Sequence, residues 1–166
     1  MADLSKFNSD PQGQLMEQIK GSRCVMLGST NASEHMQPMA PQIDTDLGHS
    51  IWFYSDNTSD LGKAVMDNPG KVRMCYMDKD YQACVDGQLV VEEDRSKIDR
   101  FWGPIVSSWY PGGQADPKML MLRFEPQDAA VWASTGNPLK FLYETAKANL
   151  TDSLPDVGKS GHVKMG

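Results

Sequence analysis

The sequence predicts a mainly β protein in which an antiparallel barrel is flanked by short helices. The chain of 166 residues contains seven strand-like segments. Most of them follow one another as hairpin pairs, joined by turns that are polar or contain glycine. The short helical segments between them are too few to supply the crossovers that a parallel sheet needs. An antiparallel barrel is therefore favoured over βαβ repeats.

Apolar and β-branched residues define the strands. The second segment carries two prolines, which restrict it to a sheet edge or to bulges. The third, Ile51 to Ser55 with Ser50 before it, is rich in aromatic residues and is the clearest strand. The last two segments are predicted to form a final hairpin. The seven predicted strands cover residues 23–30, 35–43, 50–55, 71–77, 81–92, 118–125 and 128–133.

Helix starts are marked by capping residues. Asp10 precedes Pro11, the order expected for an N-cap followed by proline in the first helical turn, and Gly21 ends that helix. Ser59 and Asp94 are predicted to cap two further helices. Asn137-Pro138 opens the last helix. We expect one domain over residues 1–150 and, because the residues from 151 to 166 offer little apolar surface, a mobile C-terminal tail.

Composition limits the function classes. The net charge is −6, which argues against a nucleic-acid partner or an anionic membrane surface, since both require a basic footprint. The first residues lack a signal-peptide pattern, and no apolar run is long enough to span a membrane. The three cysteines lie in apolar segments and are expected to be buried, reduced thiols. We therefore expect a cytoplasmic protein with a small-molecule partner.

Several motifs occur in a specific order. Pro38-Met39-Ala40 stands on the second strand, and Trp52-Phe53-Tyr54-Ser55 forms the third. Further motifs follow at Asn68-Pro69, at residues 94–102 and 109–117, and on the strand that ends near Trp132. In this order the chain resembles the general-stress-protein-26-like branch of the pyridoxamine 5'-phosphate oxidase-like, FMN-binding split-barrel superfamily. The resemblance implies a six-stranded split barrel that forms a homodimer and holds a flavin in each of two clefts between the subunits.

The resemblance also indicates the residues that contact the flavin. By position they are Gln37, Pro38 and Met39 on the second strand, Tyr54 and Ser55 at the end of the third, and Trp132 from the second subunit. FMN is the implied cofactor, with FAD as a further candidate. Trp109 precedes a Pro-Gly-Gly loop, from which it can either cover the cleft or pack elsewhere. Trp52 and Trp102 are expected in the core.

The sequence departs from the family pattern at the phosphate-binding positions. Gln37 and Leu61 occupy places that are often basic in the family, and Lys63 lies two residues after Leu61. Two residues turn a helical side chain by about 200°, so Lys63 reaches a phosphate only if the loop at 56–59 rearranges. The acidic Asp56 and Asp60 nearby oppose anion binding. The hydroxyls of Ser55, Thr58 and Ser59, together with the following helix start, are alternative phosphate donors.

The sequence leaves two functions open, and a dimer with a purely structural role is a third option. The first is an FMN-dependent oxidoreductase of the general stress protein type. The alternative is a non-catalytic, stress-related binding protein whose cleft has lost its phosphate ligands. Pyridoxamine-phosphate oxidation is not expected, because Pro138 and Lys140 stand where such oxidases have Arg and His. No catalytic residue and no metal site is predicted, since the three histidines are far apart in polar surroundings and Asp44-x-Asp46 fits a solvated hairpin.

Overall fold

The computed structural model describes residues 2–30, 35–151 and 153–165. Within these residues the chain forms six α-helices and seven β-strands. Two short 3₁₀ turns lie at Thr45–Leu47 and Gly113–Ala115. The elements in chain order are α1 Leu4–Ser9, α2 Pro11–Lys20, β1 Val25–Ser29, β2 Gln37–Met39, β3 Ile51–Asp56, α3 Asp60–Asp67, β4 Gly70–Met77, β5 Tyr81–Val91, α4 Arg95–Phe101, α5 Pro104–Ser107, β6 Met119–Ser134, α6 Pro138–Thr151 and β7 Gly158–Lys164.

All seven strands belong to one antiparallel sheet. Six of them follow the order β2-β1-β4-β5-β6-β3, and β7 pairs with β6. Gln42, just after β2, exchanges two backbone hydrogen bonds with Trp52 on β3, at 2.8 and 2.9 Å. This bridge brings the two ends of the sheet together, because β2 and β3 are its outer strands. The result is a nearly closed six-stranded barrel with flanking helices, which confirms the predicted fold class.

Strand periodicity determines which side chains fill the barrel. On β5 buried and partly buried residues alternate, and β4 shows the same pattern. This two-residue period is expected for strands with one face in a core. Leu27, Met74, Val85, Leu122 and Val131 are among the side chains that meet in the main core. The opposite face of the sheet, from β1 across to β7, is therefore turned outward.

β6 is one strand of 16 residues, whereas the sequence predicted a hairpin over 118–125 and 128–133. The separate-strand prediction is wrong because Pro126 lies at an irregularity in the sheet and not at a turn. The register shifts between Asp86 and Gly87, where Gly87 faces Pro126 and Asp86 faces Asp128. Gln127 is the extra residue, as in a β-bulge. The bulge lets the strand continue past a proline that cannot donate to the ladder.

The predicted mobile tail contains a strand. Residues 158–164 form β7, which pairs with β6 over residues 128–134. Val163 and Met165 are buried, and the Met165 amide donates to the Gln127 carbonyl at 2.9 Å. β3 pairs only with the first part of β6, so the second part offers an open edge that β7 occupies. Residues 152 and 166 of the predicted tail, and residues 1 and 31–34 of the predicted domain, lie outside the described residues.

The predicted helix caps are confirmed. The side chains of Asp10, Ser59 and Asp94 accept backbone hydrogen bonds at the starts of α2, α3 and α4. The second strand is shorter than predicted, since only Gln37–Met39 pairs with β1. The cysteines differ from the prediction in burial: Cys24 is exposed, and Cys75 and Cys84 are only partly buried, although all three are free thiols. In the described part of the chain, no helix has the length and apolar character needed to cross a membrane.

Candidate functional site

A cleft of about 500 Å³ opens between β2, the end of β3 and α5. The barrel supplies its two strand walls, and the segment after α4 supplies the third. Volumes of this size are typical of pockets that take a small organic ligand. The cleft is lined by Gln37, Pro38, Met39, Ala40, Gln42, Tyr54, Ser55, Asp56, Ser59, Ile105, Val106, Trp109 and Tyr110.

Tyr54 connects β3 to the helices that form the third wall. Its hydroxyl donates to the carbonyl of Ile98 on α4 at 2.6 Å. Its ring lies 5.9 Å from Trp102 and 6.4 Å from Tyr110, measured between centroids. Edge and tilted contacts at these separations are favourable for aromatic rings. The tyrosine therefore holds the wall against the barrel while it lines the cleft.

Tyr110 fixes the other side of the same wall. Its side chain is buried, and its hydroxyl donates to the Ser55 carbonyl at 2.7 Å. Burial raises the pKa of Tyr110, and likewise that of Tyr54, to about 12. Both phenols thus stay neutral at physiological pH and act as hydrogen-bond donors.

Trp109 and Ile105 form an exposed apolar rim. Trp109 is 78% exposed and Ile105 is 81% exposed, although both line the cleft. Large apolar side chains with so much exposure at the edge of a pocket are typical of surfaces that a ligand or another protein covers. The α5 start explains their position, because Gly103-Pro104 interrupts the preceding helix and redirects the chain.

Asp56 lies at the polar end of the cleft and gives this end a negative charge. Its carboxylate accepts from the backbone amide and from the hydroxyl of Thr58, both at 2.6 Å. These hydrogen bonds lower the pKa of Asp56, so it is ionised at neutral pH. The Ser59 hydroxyl donates to the Asp56 carbonyl at 2.7 Å and lies 3.4 Å from the Ser55 hydroxyl. None of the residues that line this cleft is a lysine or an arginine.

Six of the eight predicted flavin-contacting residues line this cleft: Gln37, Pro38, Met39, Tyr54, Ser55 and Trp109. The other two lie elsewhere in the chain. Lys63 is exposed on α3 and does not line the cleft. Trp132 lies on the outward face of β6, between Gln82 and Ser160, and is 47% exposed. The ligand contacts of all eight residues stay predictions.

The sequence did not identify Tyr110 or Gln42 as lining residues, and it placed Asp56 only as an acidic residue near the phosphate position that opposes anion binding. Tyr110 belongs to the recognised Trp-Tyr-Pro-Gly-Gly motif, so the assignment of its neighbour Trp109 to the cleft could have indicated that Tyr110 lies there too. Asp56 follows the predicted strand directly. Gln42 reaches the cleft only because it bridges to β3, a contact between distant segments that local patterns do not show.

The remaining predicted features are structural. Trp52 is buried as predicted, whereas Trp102 is only partly buried. The three histidines are exposed. Asp44 forms an ion pair with Arg100 and caps the 3₁₀ turn, so it stabilises the connection before β3. Among the described residues, no group of three or more His, Cys, Asp or Glu side chains is placed to hold a metal.

Comparisons with known proteins agree with this architecture. The crystal structures that are similar to the chain include the following three. A candidate general stress protein 26 from Jannaschia sp. CCS1 is 33% identical, with a TM-score of 0.82, and the match covers 95% of this chain and 99% of that one. The general stress FMN/FAD binding protein from Xanthomonas citri is 31% identical, with a TM-score of 0.70 and coverage of 78% and 92%. A candidate general stress family protein from Xanthomonas campestris pv. campestris is 30% identical, with a TM-score of 0.66 and the same coverage.

No curated protein sequence matches the chain significantly. A protein-family profile, described as pyridoxamine 5'-phosphate oxidase like, matches residues 10–156 and so includes both the barrel and the cleft. The chain belongs to the pyridoxamine 5'-phosphate oxidase-like family.

Proposed function

We propose that the protein binds a flavin in the cleft between β2, β3 and α5 and uses it as an oxidoreductase. One observation carries the proposal: six residues assigned to flavin contacts from three separate segments line a single cleft of about 500 Å³. The similar Xanthomonas citri protein is described as an FMN/FAD binding protein, which supports the same ligand class. FMN is the proposed form, and FAD is the second candidate.

The side chains of the cleft suit a flat aromatic ring. Tyr54, Tyr110 and Trp109 offer aromatic surface, and Met39 offers an adaptable apolar one. Gln37 and Gln42 carry amide groups that can donate to and accept from the polar edge of a ring. When bound, the flavin supplies the electron-transfer or hydride-transfer chemistry. The protein binds and orients it, and no catalytic acid or base is assigned.

We propose a homodimer as the functional form. Helix α6 has no buried residue, and four apolar side chains on one stripe of it, Leu139, Leu142, Tyr143 and Leu150, are 65% to 86% exposed. Its charged residues flank this stripe and pair with one another or with the chain beyond the helix: Lys147 pairs with Glu144, and Lys140 pairs with Asp156. An apolar stripe on the solvent side is typical of an interface. Trp132 does not line the cleft of its own chain, so its predicted contact requires a second copy.

The alternative is a non-catalytic binding protein in the same cleft. The absence of lysine and arginine among the lining residues favours it, because a tightly held FMN phosphate usually has a basic partner. In either case we propose a cytoplasmic protein with a small-molecule ligand and without a nucleic-acid partner, in agreement with the net charge of −6.

Titration with flavins tests the proposal. We expect the purified protein to quench FMN fluorescence with one site per chain, and Trp109→Ala to weaken this binding at least about tenfold. Met66→Ala is the matched control, since it removes another exposed apolar side chain that does not line the cleft. Failure to bind any flavin contradicts the proposal. Oxidation of a reduced nicotinamide by the loaded protein then separates the oxidoreductase from the non-catalytic alternative.

A second titration tests the homodimer. Trp132→Ala is expected to weaken flavin binding if the side chain reaches the cleft of a second copy. Sedimentation of the unmodified protein should give twice the mass of 18.4 kDa. A monomer at the concentrations used for binding contradicts the dimer, and unchanged affinity in Trp132→Ala contradicts the predicted contact.

A further inference from the structure

Two of the three hydroxyl groups expected to hold a phosphate, those of Thr58 and Ser59, already donate to Asp56, whereas the Ser55 hydroxyl lies 3.4 Å from that of Ser59. The Oδ1 atom of Asp56 accepts from both the amide and the hydroxyl of Thr58, each at 2.6 Å. The Ser59 hydroxyl donates to the Asp56 carbonyl. An amide, hydroxyls and a helix start close together are the groups that usually surround a bound phosphate. Here the Asp56 carboxylate takes the amide and the hydroxyl of Thr58, and the Asp56 carbonyl takes the hydroxyl of Ser59.

The electrostatic surroundings add to this effect. A second cavity of about 320 Å³ shares Gln37 and Pro38 with the cleft, and its lining includes Asp60. Neither cavity is lined by a lysine or an arginine. Lys63 and Lys118 act on Asp56 only through space and help to keep it ionised. A negatively charged ligand tail in the cleft therefore meets the Asp56 carboxylate and no lysine or arginine, whereas in the second cavity it meets both Asp60 and His35.

We infer that the cleft holds the ring and the uncharged chain of a flavin without binding its phosphate, and that the Asp56 carboxylate takes the Thr58 donors that a phosphate would need. The inference rests on the proposed flavin binding and specifies its ligand. Riboflavin, which lacks the phosphate, is expected to bind at least as tightly as FMN. This order is the reverse of that expected for a site with basic phosphate ligands.

Parallel titrations of the full-length protein with riboflavin and FMN test the inference. Flavin fluorescence gives both dissociation constants, and the readout does not depend on activity. We expect the FMN constant to equal or exceed the riboflavin constant. FMN binding that is tighter by tenfold or more overturns the inference but leaves the flavin proposal intact. Binding of neither flavin overturns both.

Salt dependence gives a second measurement that requires no variant. Raising NaCl from about 20 mM to about 500 mM shortens the Debye length from roughly 20 Å to roughly 4 Å. Because repulsion from Asp56 is then screened, FMN affinity should stay constant or rise. Riboflavin, which is uncharged, should show no change from this cause. A marked loss of FMN affinity with salt indicates basic phosphate ligands and contradicts the inference.

Asp56→Asn tests the role of the carboxylate. Asparagine can still accept from Thr58, so the loop keeps an acceptor while the charge is removed. We expect the FMN affinity to improve about tenfold relative to riboflavin, as expected for the loss of one screened like charge near a phosphate. Asp67→Asn, on an exposed residue at the far end of α3, is the matched control and should leave the ratio unchanged. An unchanged ratio in Asp56→Asn contradicts the role of Asp56.

Discussion

Glu92 connects the barrel to the helices that form the cleft wall, and its removal gives a quantitative test. The side chain is 7% exposed. Its Oε2 atom accepts from the indole nitrogen of Trp52 at 3.1 Å and lies 3.3 Å from the guanidinium of Arg123. Its Oε1 atom accepts from the Asp94 amide at 3.1 Å, just before α4. Glu92→Ala removes all three contacts together.

The expected change in the free energy of unfolding follows from the contact that each partner of Glu92 loses. Trp52 is only 2% exposed, so its indole N–H is left buried without an acceptor, at a cost of about 1–3 kcal/mol. Arg123 keeps an ion pair with Glu125 at 3.0 Å and is 36% exposed. Loss of its contact with Glu92 therefore adds only about 0–1 kcal/mol to the cost. The lost hydrogen bond at Asp94 adds roughly 0.5–1.5 kcal/mol. We expect Glu92→Ala to lower the free energy of unfolding by about 3 kcal/mol.

Urea denaturation followed by tryptophan fluorescence measures this change. Glu93→Ala is the matched control, because Glu93 is the next residue and is exposed; its effect should stay within about 0.5 kcal/mol. In a Trp52→Phe background the cost of Glu92→Ala should shrink by at least about 1 kcal/mol, since no indole N–H is left unpaired. Equal stability of the Glu92 and Glu93 variants, or an undiminished cost in the Trp52→Phe background, refutes the reasoning.

Three further predictions follow from local geometry. Gly87→Ala should lower the free energy of unfolding by about 2–3 kcal/mol, because a Cβ at this position overlaps the backbone of the facing strand. Urea denaturation measures the change, and a value below about 0.5 kcal/mol contradicts the prediction. Burial raises the pKa values of Tyr54, Tyr81 and Tyr110 from 10.0 to about 12. Their contribution to the free energy of unfolding is therefore full below pH 10 and falls as the pH rises toward 12, because these phenols ionise first in the unfolded chain. Absorbance at 295 nm should show delayed ionisation in the folded protein, and normal titration of all tyrosines contradicts this prediction. Cys75 and Cys84 face each other across β4 and β5, with their sulfurs 4.0 Å apart. The oxidant diamide should therefore link them by a disulfide within one chain. A peptide map that shows both thiols still free after oxidation contradicts this prediction.

Local chemistry made much of the fold predictable from sequence. The helices that begin after Asp10, Ser59 and Asp94 were predicted correctly, because each start depends on a side chain that accepts from a backbone amide two or three residues away. The strands at 71–77 and 81–92 were predicted within one residue at each end, since their alternation of buried and less buried residues is visible in the sequence.

Pairing between distant segments was not predictable in the same way. β7 has only Val163 as a buried residue, so its sequence lacks a strand signal, and it is a strand because β6 has a free edge beside it. β6 continues through Pro126 because Gly87 on β5 accommodates the bulge. Both outcomes depend on partners 24 to 39 residues away in the chain, whose position no local pattern contains.

The candidate site also has features that the sequence predicts and features that depend on contacts between distant segments. The sequence determined which residue types are present: an aromatic strand end, a Pro-Met strand, a tryptophan before a Pro-Gly-Gly loop, and no arginine before Pro38. Only the tertiary structure decided that β2, β3 and α5 meet in one cleft, that Tyr110 joins it through the Ser55 carbonyl, and that Trp132 faces away from it. It also decided that Thr58 and Ser59 donate to Asp56, which leaves them engaged within the loop. Residue chemistry is a property of the sequence, whereas the direction of each hydrogen bond depends on which groups the folded backbone brings within about 3 Å of one another.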